Sequence, residues 1–139
     1  MKINKFLEQK KIKIELIDIK CLQPLNISEI RKSIKKTKKL IVIDNGHKEF
    51  GFGSEIISQI IEKNPNIFKT APVRLGLPFY PTPMSKNYIN EYYVSKFKIL
   101  KSILSVLKLK LSKKEYKEFE KFYNTDYIDV PDKNFQGPF

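Results

Sequence analysis

His47 is the sole histidine of the chain, and it follows an apolar run, Leu40 to Ile43, that ends in Asp44. An imidazole just past a strand end sits where the active sites of α/β proteins gather. As a general base it needs an orienting carboxylate, which Asp44 or Glu49 could supply. No serine or cysteine motif accompanies it, so a nucleophilic triad is unsupported. Gly51 and Gly53 precede a helical pattern, and backbone N–H groups at such a place can hold a phosphate. The dinucleotide fingerprint needs a third glycine where Ile56 stands, so these glycines are better explained by a tight turn and close helix packing. Cys21 and His47 are too few for a metal site. Only lysines near Cys21 would lower its pKa, and it is expected as a small buried hydrophobe. Paired carboxylates at useful spacing are absent: Glu15 and Asp18 fall in an expected strand, and Glu115, Glu118 and Glu120 in a charged helix. Tyr80, Tyr92 and Tyr93 could stack on bases, but aromatics among prolines more often pin a loop to a core.

The elements that must position these groups follow from periodicity and punctuation. Residues 2–11 predict a helix with Ile3, Phe6 and Leu7 on one face. Ile14 to Ile19, β-branched and apolar, predicts a buried strand. Pro24 marks a loop, and Asn26 or Ser28 can cap a helix whose apolar positions are Ile27, Ile30 and Ile34. Leu40 to Ile43 predicts the second strand. Ser54 is expected to cap a helix carrying Ile56, Ile57, Ile60 and Ile61, stopped by Asn64-Pro65. Val73 to Leu75 predicts a short third strand, and Gly76 to Pro83 is too proline-rich for regular structure. Residues 95–109 predict the longest helix, with Phe97, Leu100, Ile103, Leu104 and Leu107 as its stripe. Ser112 could cap a short helix with Tyr116 and Phe119, and the end of the chain has no periodicity and is expected as an irregular tail.

At 139 residues the chain is long enough for one domain with one core. No apolar run approaches the length that spans a bilayer, the charged start is unlike a signal peptide, and one cysteine suits a reducing cytoplasm. The net charge of +12 is carried almost wholly by lysine; Arg31 and Arg74 are the arginines. Arginine is the residue favoured for bidentate phosphate and base contacts, so the charge is better explained as a solvated surface than as a nucleic-acid patch.

Four stretches, in order, resemble the C-terminal domain of transketolase-like thiamine-diphosphate enzymes, and most nearly that of the 2-oxo acid dehydrogenase β subunit, pyruvate dehydrogenase among them. Ile14-Glu-Leu-Ile-Asp-Ile-Lys-Cys-Leu-Gln-Pro-Leu-Asn26 is similar to that family's strand and Leu-x-Pro-Leu-Asp turn. Lys36-Thr-Lys-Lys-Leu-Ile-Val-Ile-Asp44 is similar to its next strand. Gly46-His-Lys-Glu-Phe-Gly-Phe-Gly-Ser-Glu55 resembles its glycine loop, usually Gly-Gly-Phe-Gly-x-Glu, with Phe50 in place of the first glycine. Ala71-Pro-Val-Arg-Leu-Gly76 with Pro81-Thr-Pro83 resembles its third strand and proline segment. The resemblance covers roughly residues 3 to 107. It implies an α/β fold, a three-layer sandwich around a small, mostly parallel sheet, truncated at its N-terminus. Residues 1–111 would be the transketolase C-terminal-like domain without its first strand, and 112–139 a short helix and tail. The missing strand would lie between the strands at 14–19 and 40–43. A companion polypeptide would supply it, or the sheet would close up, as in a fragment or split-gene product.

The resemblance implies a non-catalytic assembly domain of a thiamine-diphosphate-dependent 2-oxo acid dehydrogenase or transketolase-like enzyme, an oxidoreductase or transferase. Thiamine diphosphate and Mg would be held by other domains of the parent enzyme and not by this chain. The partner would be a companion subunit or domain carrying the thiamine-diphosphate site, with a homodimer and the acyltransferase core as further partners, and no membrane. Contacts are expected in the loop Gly46 to Gly53, at Gly46, His47, Phe50, Phe52 and Gly53, and in the segment Leu77 to Pro83, at Leu77, Phe79, Pro81 and Pro83. One rival is a free-standing α/β enzyme with His47 as general base, which requires a concave site with polar groups converging on His47. The other is a basic nucleic-acid-binding domain, which requires lysines clustered on one face.

Overall fold

The computed structural model describes residues 2–123. Its elements are α1 (Lys2–Gln9), α2 (Ile27–Thr37), β1 (Ile41–His47), α3 (Phe52–Lys63), β2 (Val73–Leu77), α4 (Lys86–Tyr92), α5 (Lys96–Leu107) and α6 (Lys113–Tyr123). β1 and β2 pair in parallel, Ile41 opposite Val73 and Ile43 opposite Leu75. Successive residues of a strand point to opposite faces, and here each face meets a different helical layer. Leu40 and Val42 pack against Ile30, Ile34, Ile56 and Ile60 of α2 and α3. Ile41 and Leu75 pack against a second cluster that includes Leu7 of α1, Leu100 of α5 and Phe119 of α6. The result is the expected three-layer α/β sandwich around a small parallel sheet. Leu7, Ile34, Ile56, Ile60, Leu100 and Phe119 are the largest fully buried side chains.

Helix boundaries follow side-chain chemistry. Asn26 caps α2, its side chain accepting from the Glu29 N–H. Ser95 caps α5 by accepting from the Lys98 N–H at 3.2 Å. Ser112 and Glu115 form a reciprocal capping box at α6: the Glu115 N–H donates to the Ser112 hydroxyl, and the Ser112 N–H donates to Oε2 of Glu115 at 2.7 Å. α6 belongs to the core, because the Phe6 and Phe119 rings meet edge-to-face at 5.2 Å. α4 answers to no periodicity noted in the sequence. The expected irregular tail at 124–139 lies outside the described residues.

Three expectations are corrected. Residues 14–19 are not a strand: residues 12–20 have no regular structure, and Ile14, Leu16 and Ile17 are exposed. The β-branched composition supplies side chains for a sheet but no neighbour, and without a hydrogen-bonded neighbour an extended segment stays solvated. Cys21, in the loop that follows, is exposed for the same reason and not buried. α3 begins at Phe52 with Gly51 as its N-cap, two residues ahead of Ser54, whose hydroxyl accepts from Arg74 instead.

The two buried clusters should be separately sensitive to cavities. Ile60→Ala and Leu100→Ala should each lower the unfolding free energy by about 2–5 kcal/mol, read from urea denaturation. The Lys10 ammonium, with the N–H and hydroxyl of Ser112, lowers the Glu115 carboxyl from 4.5 to about 2. A folded-state pKa below the unfolded one means that this stabilisation is complete above pH 4.5 and is lost as pH falls toward 2. Glu115→Gln should therefore flatten the loss of stability across that window, measured as urea midpoints against pH.

Candidate functional site

The loop from β1 to α3 is shaped by backbone approach. The Asp44 carboxylate accepts from the Gly46 N–H at 3.0 Å, a turn that shifts the strand register before His47. A Cβ at Gly51 would stand 1.9 Å from the His47 carbonyl oxygen, so no other residue fits there without moving the loop. At Gly53 a Cβ would reach 3.2 Å from Cγ1 of Val42, so this glycine lets α3 lie close on β1. Arg74 on β2 ties the loop down by donating to the Lys48 carbonyl at 2.8 Å and to the Ser54 hydroxyl. The pair of glycines thus serves a tight turn and close packing.

Above this loop three aromatic rings meet. His47 and Phe79 are edge-to-face at 5.3 Å, and Phe50 and Phe79 at 5.8 Å. Phe50 has φ 56°, in the left-handed region that a side chain enters at a cost of roughly 1–2 kcal/mol. Its ring is 90% exposed, and that of Phe79 60%. The sequence signal for this strain was present: the resembled loop carries glycine where Phe50 stands. His47 Nδ1 lies 2.8 Å from the Pro78 carbonyl, which can only accept, so Nδ1–H donates. The orienting group is therefore a carbonyl, and neither Asp44 nor Glu49 takes that role.

The expected contact residues divide by exposure. Gly46, His47, Phe50, Phe79 and Pro81 are exposed, Leu77 and Pro83 are half-buried, Phe52 packs into the α2–α3 cluster, and Gly53 is buried. The proline segment is pinned as expected of its aromatics. The buried Tyr92 donates its hydroxyl to the Tyr80 carbonyl at 3.3 Å, and the two rings lie 5.5 Å apart.

An open depression of about 480 Å³ is lined by Glu49, Phe50, Ser54, Ile57, Ser58 and Arg74, and His47 is not among them. Among the described residues no group of three His, Cys, Asp or Glu side chains could hold a metal ion. Exposed lysines stand on both helical layers, Lys32, Lys35 and Lys63 on one and Lys101, Lys113 and Lys117 on the other, which does not make a single basic face. No helix among the described residues is long and apolar enough to cross a membrane.

The chain is similar to named proteins over about two thirds of its length. It is 30% identical over 99 residues to the mitochondrial pyruvate dehydrogenase E1 component subunit beta of Saccharomyces cerevisiae, covering 70% of this chain and 27% of that one. It is 32% identical over 93 residues to the pyruvate dehydrogenase E1 component subunit beta of Gracilaria tenuistipitata var. liui, covering 67% of this chain and 29% of that one. The chain thus spans less than a third of the length of either relative. Residues 1–99 match the family described as the C-terminal domain of transketolase. That match takes in α1 to β2 and the loop that carries the aromatic face, and the chain accordingly belongs to the transketolase C-terminal domain family.

Proposed function

We propose that the chain is a non-catalytic assembly domain of a thiamine-diphosphate-dependent enzyme of the 2-oxo acid dehydrogenase or transketolase type. Its contact surface for the companion that carries the cofactor is the face formed by His47, Phe50 and Phe79. One observation carries the reading: an apolar ring is held in an unfavourable backbone conformation and left 90% exposed. Both features cost stability in the isolated chain, and burial of the ring against a partner offsets the second. Aromatic rings packed edge-to-face on a rigid loop suit a contact centre, where few residues carry most of the binding energy. The relatives' names as E1 subunits support a multi-subunit setting. A second copy of the chain and an acyltransferase core are further partners of the same assembly.

On this reading the cofactor is held by the companion. The turn at Gly51 is filled by the His47 carbonyl, and the helix start at Gly53 by Val42, which leaves no cradle for a diphosphate. The described residues offer no cluster for its metal. On this reading the reaction belongs to the companion, and this chain's residues bind and position. For the compartment, the single cysteine supports the reducing cytoplasm, although the relative from Saccharomyces cerevisiae is named mitochondrial.

Tagged chain purified from its source cell, with mass spectrometry of what accompanies it, should recover a companion with thiamine-diphosphate-binding domains. Phe79→Ala and Phe50→Gly should each weaken that association at least about tenfold. Phe50→Gly should at the same time raise the stability of the isolated chain by up to about 1 kcal/mol, the left-handed penalty of a side chain less the freedom a glycine loses on folding. A stable monomer with no such companion, or unchanged association in both variants, would sink the reading.

A further inference from the structure

The basic residues number 27, and two of them, Arg31 and Arg74, are arginine. Where lysine serves almost everywhere, an arginine points to what its planar fork adds. The two are used differently. Arg31 donates through Nη2 to the Asn64 side chain, and its Nε is buried without a partner. Arg74 makes both of its bonds through one nitrogen, Nη1, to the Lys48 carbonyl at 2.8 Å and to the Ser54 hydroxyl. An ammonium could make those two bonds as well. No described residue accepts from Nε or Nη2 of Arg74, and both nitrogens are open to solvent. Because the guanidinium is planar, the two bonds at Nη1 also fix the direction of this second edge.

Arg74 lines the open depression beside Phe50 together with Ser54, Ser58, Ile57 and Glu49. Ser54 and Ser58 are four positions apart on α3 and so share a face. The Ser54 hydroxyl accepts from Arg74, which leaves its own proton to donate. The depression thus gathers a guanidinium edge and two hydroxyl donors between two apolar side chains, Phe50 and Ile57. No ion pair among the described residues includes Arg74, although Glu49 lines the same depression.

We propose that this depression receives a carboxylate side chain of the companion subunit, bound in bidentate fashion by Nε and Nη2 of Arg74. The site rests on the reading of the Phe50 face as the companion's seat, and it gives the chemistry of what lands there. A bidentate guanidinium–carboxylate pair is short and directional, and it engages the one edge of Arg74 that the fold leaves unused. The aliphatic stem of an incoming glutamate lies against Phe50 and Ile57. Glu49 repels a second carboxylate, so the acidic residue is a single one with a basic neighbour. Glu49 also opposes a phosphate dianion more strongly than a carboxylate. The net charge of +12 favours the approach of an acidic segment.

The probe is a capped peptide, Ala-Lys-Leu-Glu-Leu-Ala, titrated into the full isotope-labelled chain, with the Arg74 Nε–H and Ser58 amide signals followed by NMR. Both signals should shift, and the same peptide with glutamine in place of glutamate should bind at least about tenfold more weakly. Arg74→Lys keeps the charge and should lose affinity for the glutamate peptide by a similar factor, read at Ser58. Glu49→Gln should tighten binding about two- to fivefold, which a purely structural Arg74 would not produce. Equal binding of the two peptides, or no shift with either, overturns the proposal. Acetate or inorganic phosphate matching the glutamate peptide at equal concentration makes this a site for free anions and also overturns it. Phe79 does not line the depression, so Phe79→Ala should leave the peptide response intact while weakening association with the companion. Association that is sensitive to Phe79→Ala but not to Arg74→Lys overturns the carboxylate site alone. With no companion recovered, the assembly reading falls and takes with it the companion as the source of the carboxylate, even where the peptide binds.

Discussion

Ile41 and Val42 are neighbours on β1 whose side chains leave in opposite directions, and each has to be covered by its own layer of helices. That requirement of a parallel strand organises most of the chain. It explains why α2 and α3 are isoleucine-striped on one side, and why α1, α5 and α6 gather on the other around Leu7, Leu100 and Phe119. It also explains the tight loop between β1 and α3. The chain must leave the strand and turn at once into a helix lying close on Val42, and the backbone approach at Gly51 leaves no room for a side chain.

Parallel pairing sets a second condition, which this sheet does not meet from the described residues. Every strand residue offers backbone groups to both sides in turn, and a sheet of two strands satisfies only the inner set. The outer groups of Ile41 and Ile43, and the solvated stretch at 13–20, are the consequence.

Local chemistry was the legible part of the sequence. Asn26, offered together with Ser28, and Ser112 announced helix starts because capping needs only residues within three positions of each other. The isoleucine stripes of α2 and α3 announced the layer they build. What depended on a distant neighbour was misread: the strand at 14–19, and with it the burial of Cys21, presumed a pairing that composition cannot supply. The start of α3 was misplaced because the serine that resembles a cap is taken by Arg74, a contact across 20 residues of sequence. The place of the aromatic face was legible through the resembled glycine loop. Its restriction to His47, Phe50 and Phe79 was not, since whether Phe52 or Phe50 points outward depends on where the helix begins.

The physics that would close the aromatic face bears on how an assembly could form. At the aromatic face the Pro78 and Lys48 carbonyls are engaged by His47 and Arg74, and Phe50 and Phe79 are left exposed. A partner there need present no particular secondary structure, and contact is made by burying rings held on a rigid loop. The strained Phe50, carried where a glycine would relieve the backbone, makes the aromatic face the one whose retention is hardest to explain by folding alone.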